Sequence, residues 1–104
     1  MRRGEIWWAD LDPLAGRRPV LLLSRDEAYS VRSLIIVAPV TTRIRNIASE
    51  VPLGTADGTP RPCVANLDTI TTVPKDCLRA LVVNLSPKKL DEVDAALRFA
   101  LGLK

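Results

Sequence analysis

Arg17-Arg18-Pro19-Val20-Leu21-Leu22-Leu23-Ser24 decides how this chain folds: two cations run into a proline and then into continuous apolar sequence. Such a run reads as a buried strand that starts at a charged mouth. Pro19 fixes its own φ and biases Arg18 toward extended backbone, so the Arg18 guanidinium leaves the chain in a defined direction just before the strand enters the core. A planar five-donor fork held in that way suits a phosphate. The same two arginines also fit solvated basic gatekeepers beside a hydrophobic strand, and taken alone they favour that simpler description.

Working outward, Asp12-Pro13-Leu14-Ala15-Gly16 reads as the turn that feeds this strand, and Gly4 to Leu11 as the strand before it. Alternation puts Ile6, Trp8 and Asp10 on one face of that first strand and Glu5, Trp7, Ala9 and Leu11 on the other. One tryptophan therefore faces inward. Its neighbour meets solvent, a partner subunit or a flat ligand such as a base, and alternation does not choose between them. Ser24 to Arg32 is a polar excursion with room for one helical turn.

Downstream, Ser33 to Thr41 is continuously apolar and β-branched, as expected of a central strand covered on both faces, with Pro39 disturbing the pairing near its far end. If this strand and the Arg18 strand are antiparallel neighbours, Arg18 and Thr41 meet at one end of the sheet. Ser49 to Leu53 reads as a short edge strand, Gly54 to Pro62 as a loop, Cys63 to Ile70 as an alternating strand and Leu78 to Val83 as the last one. Thr71 to Val73 either continues the Cys63 strand or pairs separately, and Pro74 to Asp76 is a turn. Ser86 and Pro87 supply an N-cap and a first-turn proline for the one long helix, with Leu90, Val93, Leu97 and Leu101 as its apolar face and Gly102 as its stop.

With 104 residues and 47% hydrophobic content, the chain is expected to form a single domain, 1–104, with one small core. No apolar run reaches bilayer length and the start has no signal-like apolar region, so a soluble, cytoplasmic protein is expected. There is no histidine, which removes the usual neutral-pH base and any histidine-completed zinc site; Cys63 and Cys77 lack a CxxC spacing and read as buried reduced thiols. No metal or cofactor is expected. The formal charge is +3, and eleven of the fifteen cations are arginines. Arg17, Arg18, Arg25, Arg43, Arg45 and Arg61 lie at or near strand ends, where they form either one electropositive face or scattered solvated charge. Together these elements describe a small, strongly twisted antiparallel barrel or half-barrel with a C-terminal helix.

The ordered set Arg2-Arg3-Gly4-Glu5-Ile6-Trp7-Trp8, Gly16-Arg17-Arg18-Pro19-Val20, Val37-Ala38-Pro39-Val40-Thr41 and Leu85-Ser86-Pro87 resembles the MazF/PemK family of toxins from toxin-antitoxin modules, over nearly the whole chain. The resemblance implies an SH3-like barrel of the MazF/Kid/CcdB kind with a C-terminal helix, and a homodimer whose groove binds single-stranded RNA. It implies metal-independent, sequence-specific cleavage by 2′-OH attack, leaving a 2′,3′-cyclic phosphate and a 5′-OH, on mRNA or on structured targets such as tRNA or ribosomal RNA. It further implies growth arrest, a MazE-like antitoxin whose extended tail occupies the groove, and DNA binding through the antitoxin complex. By position, Arg18 matches the arginine of the family's RPV motif and Thr41 the threonine of its P-x-T motif, the residues associated with catalysis. Arg17, Arg25, Thr42, Arg43, Arg45 and Trp7 are the candidate RNA contacts.

The chain departs from many relatives in having a short segment before Arg18, so the acid proposed there as a base has no counterpart; Glu5, Asp10, Asp12 or no protein base at all remain as options. Thr69 and Thr71 stand where relatives often place Gln and Arg. Two readings from other classes compete: a CcdB-like toxin that binds gyrase without catalysis, and a non-toxic SH3-like module in which Trp7 and Trp8 form a peptide groove.

Overall fold

The computed structural model describes residues 1–12, 14 and 16–104; of the expected Asp12–Gly16 turn, Pro13 and Ala15 lie outside the described residues. Among the described residues seven strands and two α-helices follow one another as β1 (Glu5–Asp10), β2 (Arg17–Leu22), α1 (Ala28–Val31), β3 (Leu34–Thr41), β4 (Glu50–Leu53), β5 (Cys63–Asn66), β6 (Thr71–Pro74), β7 (Leu78–Asn84) and α2 (Pro87–Leu101). The strand order is β4-β5-β3-β2-β1-β7, antiparallel throughout, with β6 also on β3.

β3 is the hinge of this arrangement because its two halves have different neighbours. Leu34 to Val37 pair with β6, whereas Val40 and Thr41 pair with β5, on the edge opposite β2. Pro39 falls in the gap between them, where a residue with no N–H to donate interrupts a ladder at least cost. The sheet thereby curls into a half-barrel, as the strand pattern implied.

Two apolar clusters cover its faces. The larger joins Ile6, Leu21, Ala38, Val51, Ala65 and Leu67 to Val93 and Ala96 of α2; the smaller joins Ala9, Val20, Leu22, Ile35, Val37 and Val73 around Tyr29. Each fully buried aliphatic side chain here contributes about 1.5–3 kcal/mol of transfer free energy. Alternation along β1 and β2 therefore feeds both clusters, and the Arg18 strand is buried along its whole apolar run from Val20.

α2 starts as its sequence implied: Lys89 N–H donates to Ser86 Oγ (3.2 Å), Pro87 takes the first turn, and Gly102 ends the helix at φ +69 with its N–H on the Arg98 and Phe99 carbonyls. Its buried face differs in detail. Val93 and Ala96 are buried, Leu90 and Leu97 half-buried, and Leu101 is exposed.

Three further expectations need correction. The Cys63 strand stops at Asn66, and Leu67–Thr69 forms a 3₁₀ turn, because Asn66 Oδ1 accepts from Asp68 N–H (2.9 Å) and Ser49 Oγ donates to Asp68 Oδ2 (2.5 Å), satisfying groups that a longer strand would have paired. β3 is not covered on both faces at its start: Leu34 and Ile36 are 56% and 41% exposed, since they sit beside β6 residues Pro74 and Thr72, which are themselves exposed. Finally, only Cys63 is buried; Cys77, in the 3₁₀ turn before β7, is half-buried.

Candidate active site

The β2–β3 register pairs Val20 with Pro39 and Leu21 with Ala38. That pairing ends at Val20 and Pro39, with Arg18 two residues before it on β2 and Thr41 two residues after it on β3. On the other edge of β3, Thr41 pairs with Val64 of β5. The end of β3 thus lies between the beginnings of β2 and β5, and a groove of about 810 Å³ opens at this junction. Arg17, Arg18, Thr41 and Thr42 line it together, with Ile6, Trp8, Leu11 and Pro19 from β1, its turn and β2, with Thr59, Pro60 and Arg61 from the segment entering β5, and with Val82 of β7.

The charge of this lining has one sign. Arg17, Arg18 and Arg61 are its charged side chains, and no carboxylate is among the lining residues. Three guanidinium groups with no carboxylate among the lining residues make the groove cationic. The apolar part, Trp8, Leu11 and the prolines, gives a surface on which a base can stack.

Thr41 Oγ1 accepts a hydrogen bond from Arg43 N–H (3.2 Å). That contact uses a lone pair and leaves the hydroxyl proton able to donate to a ligand in the groove.

The other predicted residues lie elsewhere. Arg43 and Arg45 follow β3 in an exposed segment, Arg45 N–H donating to Glu50 Oε1 (2.9 Å), and neither lines the groove. Arg25 belongs to the loop after β2, where its carbonyl accepts from Ala28 N–H (3.0 Å), and is likewise outside. Trp7 packs against the smaller cluster and its Nε1 donates to Glu5 Oε1 (2.9 Å); it is Trp8 that lines the groove. Both indoles are half-buried, so neither is simply inward or outward, because each face of β1 meets an apolar cluster or the groove. The alternation of Trp8 with Ile6 carried this signal in the sequence, and Arg61 stood among the arginines near strand ends, whereas Thr59 and Pro60 were legible only as a loop.

None of the three acids considered as a base lines the groove. Glu5 Oε1 accepts from Arg2 N–H and from Trp7, and Asp12 Oδ1 accepts from Leu14 N–H. Asp10 bridges two guanidinia, Arg79 at 2.7 Å and Arg17 at 3.2 Å. The hydrogen bonds from Arg79 and then Arg17 hold its carboxyl below the usual range, which makes it a weak proton acceptor.

Comparison with known proteins agrees with this geometry. A family model described as a PemK-like, MazF-like toxin of a type II toxin-antitoxin system matches residues 2–101. The probable endoribonuclease MazF2 of Mycobacterium tuberculosis H37Rv is 37% identical over 103 residues, covering 98% of this chain and 99% of the relative. The endoribonuclease MazF of Staphylococcus saprophyticus is 33% identical over 111 residues, covering 99% and 92%. Among solved structures, the Mycobacterium tuberculosis toxin MazF-mt6 superposes with a TM-score of 0.87 at 30% identity, covering 96% of this chain and 98% of that one. A MazE-MazF crystal structure from Deinococcus radiodurans superposes with a TM-score of 0.84 at 29% identity over 100% and 98%. The half-barrel, the meeting of Arg18 with Thr41 and these full-length matches have one reading: the chain belongs to the PemK/MazF family of toxins of type II toxin-antitoxin systems.

Proposed function

We propose that this chain, an endoribonuclease of the MazF class, cleaves single-stranded RNA at a short sequence without a metal ion, by attack of a ribose 2′-OH on the adjacent phosphorus. The O2′–P bond forms as the P–O5′ bond breaks, leaving a 2′,3′-cyclic phosphate and a 5′-OH. The observation that carries this reading is the groove in which Arg18 and Thr41 stand together among three arginines and no carboxylate.

In this reading Arg18 holds the non-bridging phosphoryl oxygens as charge builds on them, which is the kind of preorganised donor whose removal typically costs roughly 10²–10³ in rate. Thr41 donates its hydroxyl hydrogen to the same phosphoryl group. The 2′-OH proton passes to water in the groove, since no lining side chain is a carboxylate, and the leaving O5′ takes a proton from water. Arg17 and Thr42 contact the flanking backbone, while Arg25, Arg43, Arg45 and Trp7, which do not line the groove, would act only at its approaches. The working unit is a homodimer, and a MazE-like antitoxin blocks the groove; two superposable structures, from mycobacteria and from Deinococcus radiodurans, are of a toxin with its antitoxin.

The test is to incubate the protein with total RNA in EDTA, map the new ends, and repeat with an oligonucleotide carrying 2′-deoxyribose at one mapped site. Discrete 5′-OH ends that vanish at the 2′-deoxy position are expected. Cleavage that persists there, or that requires added divalent metal, would overturn the mechanism.

A further inference from the structure

Arg61 carries the strongest unassigned chemistry in the molecule. Its side chain is exposed and makes no hydrogen bond or ion pair with any described residue, whereas the groove's Arg17 is tied to Asp10 and, away from the groove, Arg3 to Asp94. The backbone beneath it is held in place. Thr59 is 4% exposed and its Oγ1 donates to the Arg61 carbonyl (3.1 Å), and prolines at 60 and 62 fix φ on both sides. A cation on so stiff a support loses little backbone freedom when it binds an anion.

Arg18 is the second residue of β2, Arg61 lies two residues before β5, and the two strands flank β3 two strand spacings apart; with Arg61 three residues beyond the Val64 that pairs with Thr41, the two backbones are roughly 14 Å apart. That separation lets two long side chains meet successive phosphates of one extended strand lying over Thr41. We infer that Arg61 is a substrate-positioning residue that binds the RNA backbone phosphate next to the one held by Arg18. It sets where the strand lies and takes no part in bond breaking. This inference rests on the RNA-cleaving reading above.

Two measurements keep the two claims separate. The first is binding of an RNA made uncleavable by 2′-deoxyribose at the cut site, for the wild type, Arg61→Ala and Arg61→Lys, across a salt series. Arg61→Ala should weaken binding roughly tenfold, as expected for loss of a charge-assisted hydrogen bond, with Arg61→Lys retaining most of the affinity. The salt slope should become shallower by about 0.7 in the alanine variant, one phosphate contact on a single strand. The second is steady-state cleavage, where Arg61→Ala should raise KM by a similar factor and leave kcat within about twofold. Unchanged affinity and salt slope, or a fall in kcat at constant KM, would overturn the inference. Salt-dependent binding that needs Arg61 in a protein that cuts nothing would support it while removing the cleavage reading.

Discussion

Asp10 and Arg17 face each other across β1 and β2, with Arg17 Nε 3.2 Å from Asp10 Oδ1, while the other oxygen of Asp10 holds Arg79 of β7 at 2.7 Å. One carboxylate thus ties three strands together at the lip of the groove and offsets part of the Arg17 charge there.

Removing that carboxylate uncovers two cations. Asp10→Asn should bind uncleavable RNA more tightly, with a salt slope steeper by up to about 0.7. A weaker complex would instead show that Arg17 works only when Asp10 orients it. The pH sense is fixed by the depressed carboxyl: the pairing is complete above the ordinary carboxylate pKa and is lost as pH falls through the lower folded value, so the variant and wild type should differ at neutral pH and converge in acid.

Gly58 supports the segment that carries Arg61. It has φ +97, and a Cβ there would lie 2.6 Å from Val83 Cγ2. Gly58→Ala should therefore destabilise the fold, by about 1–2 kcal/mol from the left-handed backbone alone, and weaken RNA binding as the Thr59–Arg61 segment shifts. Trimming the clash with Val83→Ala in the same chain should restore only part of the stability in urea titrations. Complete recovery would show that the backbone stores no strain.

Tyr29 is the chain's one tyrosine, and its hydroxyl donates to the Ser24 carbonyl (3.1 Å) inside the smaller cluster. Burial, with Asp26 nearby, pushes its pKa up to about 12. The folded state keeps this proton more tightly than the unfolded state does, so the stabilisation is present below the ordinary phenol pKa near 10 and disappears as pH rises toward 12. Phenolate absorbance should appear together with unfolding in an alkaline titration. Ionisation well before unfolding would contradict the buried setting.

How much of this was legible beforehand depended on how local each cause was. Ser86, Pro87 and Gly102 act on their own turn of backbone, so the ends of α2 could be read directly, and the apolar run after Arg18 specified β2. The meeting of Arg18 with Thr41 also followed once the two strands were taken as antiparallel neighbours. What escaped depends on partners far away in sequence. Asn66 and Ser49 turn the chain at Asp68, nineteen residues beyond Ser49, and no alternation pattern reports that. Arg43 and Arg45 carry the same charge as Arg61, yet only Arg61 lines the groove, because the path of the loop into β5 decides it. Trp7 was favoured over Trp8 without knowledge that a cluster and a groove lie on opposite sides of β1. The family match over residues 2–101, with relatives named endoribonucleases, favours the nuclease over the gyrase-binding and SH3-module alternatives.

The central claim is that Arg18 and Thr41 act on one phosphate, and a double-variant comparison of single-turnover cleavage tests it most directly. Arg18→Ala should lose roughly 10²–10³ in rate, and Thr41→Val, which keeps the shape and loses the hydroxyl, should lose somewhat less. In the double variant the losses should fall short of their sum in free energy, as for groups that act as a unit, with all three proteins folded. Near-normal cleavage by folded Arg18→Ala, or strict additivity of the two losses, would contradict the account.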